Sequence, residues 1–206
     1  MASMSRELAA WVAGLSYDDL PATVIDRAKG LTLQGLSSAL MGYDRPPTDQ
    51  ALAVMQAEEA GGAGVATVLV HGAKLTKAGA CYVNSDLIFI GGKWDTFRML
   101  THPGCAILPA ALMAAEVEGA SGKDYLTAVV AAYEVMERMA ADFIPTTMAR
   151  GFHAGPVFGI FGAAIAAAKL GGLNADQIHG AIAQCVNLAS GNLEGIRSGG
   201  KSTPHR

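Results

Sequence analysis

Apolar residues recur at helical spacing along most of this chain, in stretches separated by short glycine-, proline- and hydroxyl-rich breaks. Ser5 to Leu15 reads as a short amphipathic helix. Asp19-Leu20-Pro21 opens a second, with Pro21 in its first turn and apolar positions at Val24, Ala28, Leu31 and Leu36. Gly42 to Pro47 is a break, after which Thr48 is expected to cap a third helix running to about Ala60. Gly61-Gly62-Ala63-Gly64 is a loop. Ala66 to Val70 is the one convincing strand, short and β-branched, and His71-Gly72 ends it.

Helical spacing then returns. Thr76 caps a helix through Ala80 and Val83 toward Ile90, closed by Gly91-Gly92. Ala106 to Val117 follows, with Pro109 near its first turn. Ser121 caps the next helix, Tyr125 to Ala141, with Asp124 suited to the positive end of its dipole. Gly155, Gly159, Ala163 and Ala167 recur every four residues, a small-residue stripe that lets helices approach closely, so this segment is expected to be a buried central helix. Asn174 and Gln177 form a capping-box start for Ile178 to Ala189. There is no repeat and no domain linker. The reading is a single all-α domain over residues 1–206.

Composition narrows the function classes. The 206 residues suffice for a substantial core, yet 51% are hydrophobic and only 16% charged. Such a charge-poor helical chain is expected to cover helix surface with another subunit or a missing chain. A net charge of -3 and sparse aromatics argue against nucleic acid. The longest apolar stretch, Ala154 to Ala168, is broken by glycines and too short to cross a bilayer, so no membrane partner is expected. The first residues lack a signal-peptide pattern. Cys81, Cys105 and Cys185 are odd in number, far apart and without a Cys-x-x-Cys motif, which points to a reduced, cytoplasmic protein.

Three clusters carry candidate chemistry. Trp94-Asp95-Thr96 and Thr101-His102-Pro103-Gly104 gather a carboxylate, hydroxyls and an imidazole. Gly151-Phe152-His153-Ala154-Gly155 and Gly199-Gly200-Lys201 each set an ionisable group beside glycine, where the backbone can turn sharply or come close to a ligand. His102 suits a general base or acid, since imidazole titrates nearest neutral pH, or else caps the helix that follows. Asp95 is open between orienting His102, taking a proton itself, and a plain helix-cap or loop hydrogen bond. Arg98 is open between clamping a carboxylate and a surface salt bridge. Cys105 reads as a small buried cysteine rather than a nucleophile, His71 as a turn residue and His179 as part of a helix face. His102, His153 and Asp95 lack a diagnostic metal spacing, so no metal is assigned.

These clusters, with Ala80-Cys81-Tyr82-Val83-Asn84, Gly119-Ala120-Ser121-Gly122, Phe161-Gly162-Ala163-Ala164 and Lys169-Leu170-Gly171-Gly172-Leu173, resemble the MmgE/PrpD family over nearly the whole chain. That family includes 2-methylcitrate dehydratase, cis-aconitate decarboxylase and iminodisuccinate epimerase. The resemblance implies a helical catalytic domain, a separate lid domain, homodimerisation, no cofactor, and proton transfer next to a carboxylate of a small polycarboxylate or hydroxy acid. It implies catalytic roles for His102, His153, Lys201 and Asp95, with Arg98, Thr101 and Gly104 on the substrate.

Two departures qualify this. Where the family carries a run like Leu-Asp-Phe-Asp-Asp-Thr, this chain has Gly91-Gly92-Lys93-Trp94-Asp95-Thr96, so Gly92 stands where the first aspartate would be. The histidine upstream of that run is replaced by Phe89. Family members are also about twice as long, and the lid domain has no counterpart here. The expectation is a fragment or one subunit of a split enzyme, a dehydratase-type lyase whose site another chain completes as a homo-oligomer or heteromer. Two alternatives stay open: a catalytically silent assembly or ligand-binding subunit, and an isomerase, epimerase or cyclase on the same scaffold.

Overall fold

Three helices start where the residue directly before them accepts an otherwise orphaned backbone N–H. The computed structural model of the chain describes residues 3–60, 62–99 and 101–197. Thr76 Oγ1 accepts from Gly79 N at 3.2 Å, Ser121 Oγ from Asp124 N at 3.2 Å, and Asn174 Oδ1 from Gln177 N at 3.0 Å. These caps satisfy donors that have no partner within the helix, so short polar residues set the boundaries. They open α4 (Lys77–Gly91), α6 (Gly122–Ala140) and α9 (Ala175–Leu188). Before them come α1 (Met4–Gly14), α2 (Ala22–Gly42) and α3 (Pro46–Glu58). Between and after them lie α5 (Gly104–Glu118), α7 (Ile144–Ala149), α8 (Ala154–Leu170) and α10 (Glu194–Arg197). The fold is all-α, with no lid domain evident among the described residues.

The structure changes several boundaries. The expected strand Ala66 to Val70 shrinks to β1 (Ala66–Thr67), because the chain turns back at once into antiparallel β2 (Lys74–Leu75), with Val70 at φ 67° in the turn. Glu116 of α5 staples this ribbon by accepting from Thr67 N at 2.8 Å and from Lys74 Nζ at 2.5 Å. Those bonds, Lys74's above all, hold the Glu116 carboxyl down at about 2. Thr48 does not cap α3. Arg45 precedes the helix, prolines fill its first two positions, and Thr48 lies inside with its hydroxyl donating to Gly42 O at 3.1 Å. The 3-10 turn at Tyr17–Asp19 and the short α7 were not anticipated.

α8 is the central helix, packed between α5 and α6. Close approach comes through Gly159 and Gly162 rather than the whole four-residue stripe. A methyl group at Gly159 would stand 3.2 Å from Ala106 Cβ, and one at Gly162 would stand 2.6 Å from Ile107 Cγ1. Ala163 and Ala167 are only partly buried, because α8 turns its Phe158, Phe161 and Ile165 face inward. Val83, Leu87, Ile107, Met136, Ile144, Ile165 and Ile178 are fully shielded and make one continuous core. Lys169 at the end of α8 donates to Val12 O and Leu15 O, both at 2.7 Å, and so ties down the last carbonyls of α1.

Pro109 sits well inside α5 and has no N–H to give Cys105 O, one turn back. The Ser85 hydroxyl of α4 replaces it, donating to Cys105 O at 2.6 Å. This compensation lets α5 continue past the proline and fixes α4 against the start of α5.

Candidate active site

The segment between α4 and α5 carries most of the polar chemistry. Gly92 ends α4 in the left-handed region, at φ 77°, a conformation glycine adopts without penalty. Trp94 then stacks on Phe89, with ring centroids 5.1 Å apart, and its Nε1 donates to Phe89 O at 2.6 Å. Trp94 also meets His102, centroid to centroid 4.7 Å, with the two rings tilted by 41°. Phe89, Trp94 and His102 thus form one aromatic cluster beside the imidazole.

A backbone bond sets its orientation. His102 Nδ1 lies 2.8 Å from Asp95 O, and a carbonyl can only accept, so Nδ1 carries the proton and the neutral ring has its lone pair on Nε2. Thr96 Oγ1 stands 3.3 Å from the same nitrogen. Of the readings open for Asp95, its side chain takes the cap: both oxygens accept from Gly104 N, at 3.1 and 3.0 Å, at the first residue of α5. This distant carboxylate is why α5 starts at Gly104, two residues before the expected Ala106.

Tyr133 of α6 completes the arrangement by donating to Asp95 Oδ2 at 2.7 Å. Burial pushes the Asp95 carboxyl up, against the opposing pull of Tyr133, Gly104 and the nearby His102 charge. Burial, and then the Asp95 charge, push the Tyr133 phenol far above its usual range, so it remains a donor. Gly104 is required here. A Cβ would stand 2.8 Å from Asp95 Oδ1 and 2.9 Å from the Tyr133 hydroxyl.

His153 directly precedes α8, its amide donating to Gly191 O at 2.9 Å. Its ring folds over the start of the helix, 3.4 Å from where a Gly155 Cβ would lie. His102 and His153, far apart in sequence, line the same hollow of about 280 Å³ between α4, α5 and α8. Ser85, Phe89, Cys105 and Ile160 contribute to its wall. A second, larger cleft of about 710 Å³ lies between α2, the Trp94–Phe97 segment and α6, with Asp95, Tyr133, Glu134 and Glu137 on its wall. There, burial together with Glu134 and Asp95 raises the Glu137 carboxyl to about 7.

The other expected site residues lie elsewhere. Arg98, at φ 44°, sends its guanidinium to Ala141 O at 2.6 Å, beyond the end of α6. Thr101 is fully buried, and its backbone pairs with Phe97. The Gly104 amide is taken by Asp95. Lys201 lies outside the described residues. Among the described residues, no three His, Cys, Asp or Glu side chains gather as a metal ion would require. No described helix is long and apolar enough to cross a membrane. Sequence reasoning missed Ser85 and Tyr133. The one signal for Tyr133 was a hydroxyl on an apolar helix face, which must find a buried partner.

Residues 6–205 match the MmgE/PrpD N-terminal domain. The chain is 32% identical over 199 residues to the cis-aconitate decarboxylase-like protein oryM of Aspergillus oryzae, covering 92% of this chain and 41% of that protein. It is 29% identical over 196 residues to a cis-aconitate decarboxylase of Aspergillus terreus, covering 91% of this chain and 39% of that protein. The chain therefore spans about two fifths of the length of these curated relatives. With its helical architecture, these matches make the chain a member of the MmgE/PrpD family, of which it carries the N-terminal domain.

Proposed function

We propose that this chain contributes the proton-transfer half of a lyase active site acting next to a carboxylate. The observation that carries this is the hollow shared by His102 and His153. Removing a proton alpha to a carboxylate builds a second negative charge beside the first. Catalysis therefore needs a base of suitable pKa at the carbon and donors or cations on the acid group. His102 is the base: with Nδ1–H bound to Asp95 O, Nε2 holds the lone pair that accepts the proton. His153, at the start of α8, serves the acid group, where the helix dipole adds to the attraction, and Lys201 is given the same role on the family resemblance alone.

In the dehydration, His102 takes the C–H proton, the electron pair becomes the new C=C bond, and the hydroxyl on the adjacent carbon leaves as water by taking up the proton that His102 has removed, which returns the imidazole to its neutral form. Asp95 acts through His102 and through the cap of α5 rather than on substrate. A small polycarboxylate or hydroxy acid fits the family, whose curated relatives here are named for cis-aconitate decarboxylation. The length of the curated relatives that this chain does not span completes the site.

The test is turnover of small polycarboxylates by this chain, alone and with a protein supplying the remaining family length, reading loss of water, of carbon dioxide or of chirality. His102→Gln and His153→Gln should each abolish turnover while the far-UV helical signal stays unchanged. Full activity in His102→Gln would defeat the assignment, and loss of chirality without loss of water would replace the lyase by an epimerase.

A further inference from the structure

A pocket between α3 and α4 is separate from the histidine chemistry. α4 lends Ser85 and Phe89 to the histidine hollow, while Tyr82 and Asp86 of the same helix line the pocket shared with α3. Tyr82 and Asp86 are four residues apart and so stand on one helix face, and Gln50 and Val54 stand in the same relation on α3. With Pro47 and Ala51 they line a volume of about 270 Å³. None of these residues lines the histidine hollow.

Asp86 is the charged group of this pocket. Among the described residues its carboxylate accepts no hydrogen bond and pairs with no cation. Burial pushes the carboxyl up with nothing pulling back, whereas at Asp95 the Tyr133 hydroxyl and the Gly104 amide oppose the same effect. A carboxylate partly withdrawn from water and short of donors is favoured by any cation that can reach it. Beside it, Tyr82 and Val54 remain 57% and 54% exposed, so an aromatic ring and an aliphatic side chain are free to cover an apolar stem.

The donor set selects the kind of cation. A single carboxylate does not supply the several oxygen ligands that a divalent metal ion requires, and no metal-like cluster occurs among the described residues. An ammonium carries three diverging donors, and the pocket offers separate acceptors in the Asp86 carboxylate, the Tyr82 hydroxyl and the Gln50 carbonyl. The Tyr82 ring adds attraction for a cation over its face.

We propose that this pocket binds a primary alkylammonium group, with the nitrogen at the Asp86 carboxylate and the methylenes between Tyr82 and Val54. The group arrives either as a free aliphatic amine or as a lysine side chain, which present the same chemistry to the pocket.

The test titrates this chain at neutral pH with n-butylammonium, with n-butanol and butyrate as controls at matched ionic strength. Binding is read from the NMR signals of the Tyr82 ring, assigned with Tyr82→Leu. The expected result is a saturable shift, with butylammonium bound at least about fivefold tighter than butanol and no shift from butyrate. Asp86→Asn keeps the size of the side chain and should weaken butylammonium by at least about fivefold while leaving butanol unchanged. Val54→Ala should weaken both ligands by a similar factor of about two to four, since it shortens the wall along the stem. N-acetyl-lysine N-methylamide separates the sources: binding within about threefold of butylammonium supports a lysine side chain, and weaker binding supports a free amine. Butylammonium no tighter than butanol, equal affinity in Asp86→Asn, or no saturable shift at Tyr82 would overturn the proposal.

Discussion

The Tyr133 hydroxyl donates to Asp95 Oδ2 at 2.7 Å, and this bond joins α6 to the segment that orients His102. The Asp95 carboxylate caps α5, and its own backbone carbonyl holds the imidazole, so one residue couples helix start and ring orientation. Tyr133→Phe should cost about 1–3 kcal/mol by leaving a buried carboxylate short of a donor. Asp95→Ala should cost more, since α5 also loses its cap. Urea unfolding measures both, and Tyr133→Phe should move the His102 ring signals as well. An unmoved His102 spectrum would confine Tyr133 to a purely structural role.

Ser85 and Pro109 form a compensating pair. Ser85→Ala leaves Cys105 O without its donor and should destabilise the chain by about 1–2 kcal/mol. Pro109→Ala returns a backbone N–H to that carbonyl, so Ser85→Ala should cost markedly less in the Pro109→Ala background. A double-mutant cycle by denaturant unfolding checks this. Strict additivity would show that the two groups do not share the carbonyl.

Glu137 predicts a pH dependence of stability. Its carboxyl is raised from 4.5 to about 7, so the folded state favours the protonated form. The stability this contributes is fully present below the ordinary glutamate value and is lost as pH rises through about 7. Glu137→Gln removes that loss. It should raise stability at pH 8 by about 1 kcal/mol, a figure reduced for the partial exposure of the side chain, and have little effect at pH 4. Thermal unfolding at the two pH values measures the difference, and an equal change at both would contradict the assignment.

Lys169 reaches the last carbonyls of α1 from the end of α8. Lys169→Met keeps most of the apolar stem and removes both donors, so it should cost about 1–2 kcal/mol. Because α1 also packs on α9, amide hydrogen exchange should accelerate first in α1. Uniform acceleration across the chain would show that α1 does not open separately.

Glu116 predicts an acid effect of the opposite sign. Its carboxyl, held at about 2 by Lys74 and Thr67, adds stability that is present above 4.5 and lost as pH falls through about 2. Glu116→Gln should therefore cost up to about 1 kcal/mol at pH 7, a modest figure because the pair is exposed to solvent, and nothing near pH 2. Unfolding midpoints across that range decide it.

Much of this protein was legible in local residues, because helix caps and apolar periodicity act over only a few positions. Ser121 with Asp124, Asn174 with Gln177, and Thr76 each start their helix as their spacing implies. The same locality misled at Thr48, where two prolines started the helix earlier, and at Val70, where the turn shortened the strand. His102 and His153 were recognisable as candidates from their glycine-flanked settings, but sequence order says nothing of whether two rings share a hollow. That was decided by the packing of α8 against α5, and the start of α5 by a carboxylate nine positions upstream. Long-range hydrogen bonds such as Tyr133 to Asp95 and Ser85 to Cys105 leave no periodic trace, since each depends on where an entire helix docks. The chain thus determined its helices by itself, while only their docking determined which side chains meet.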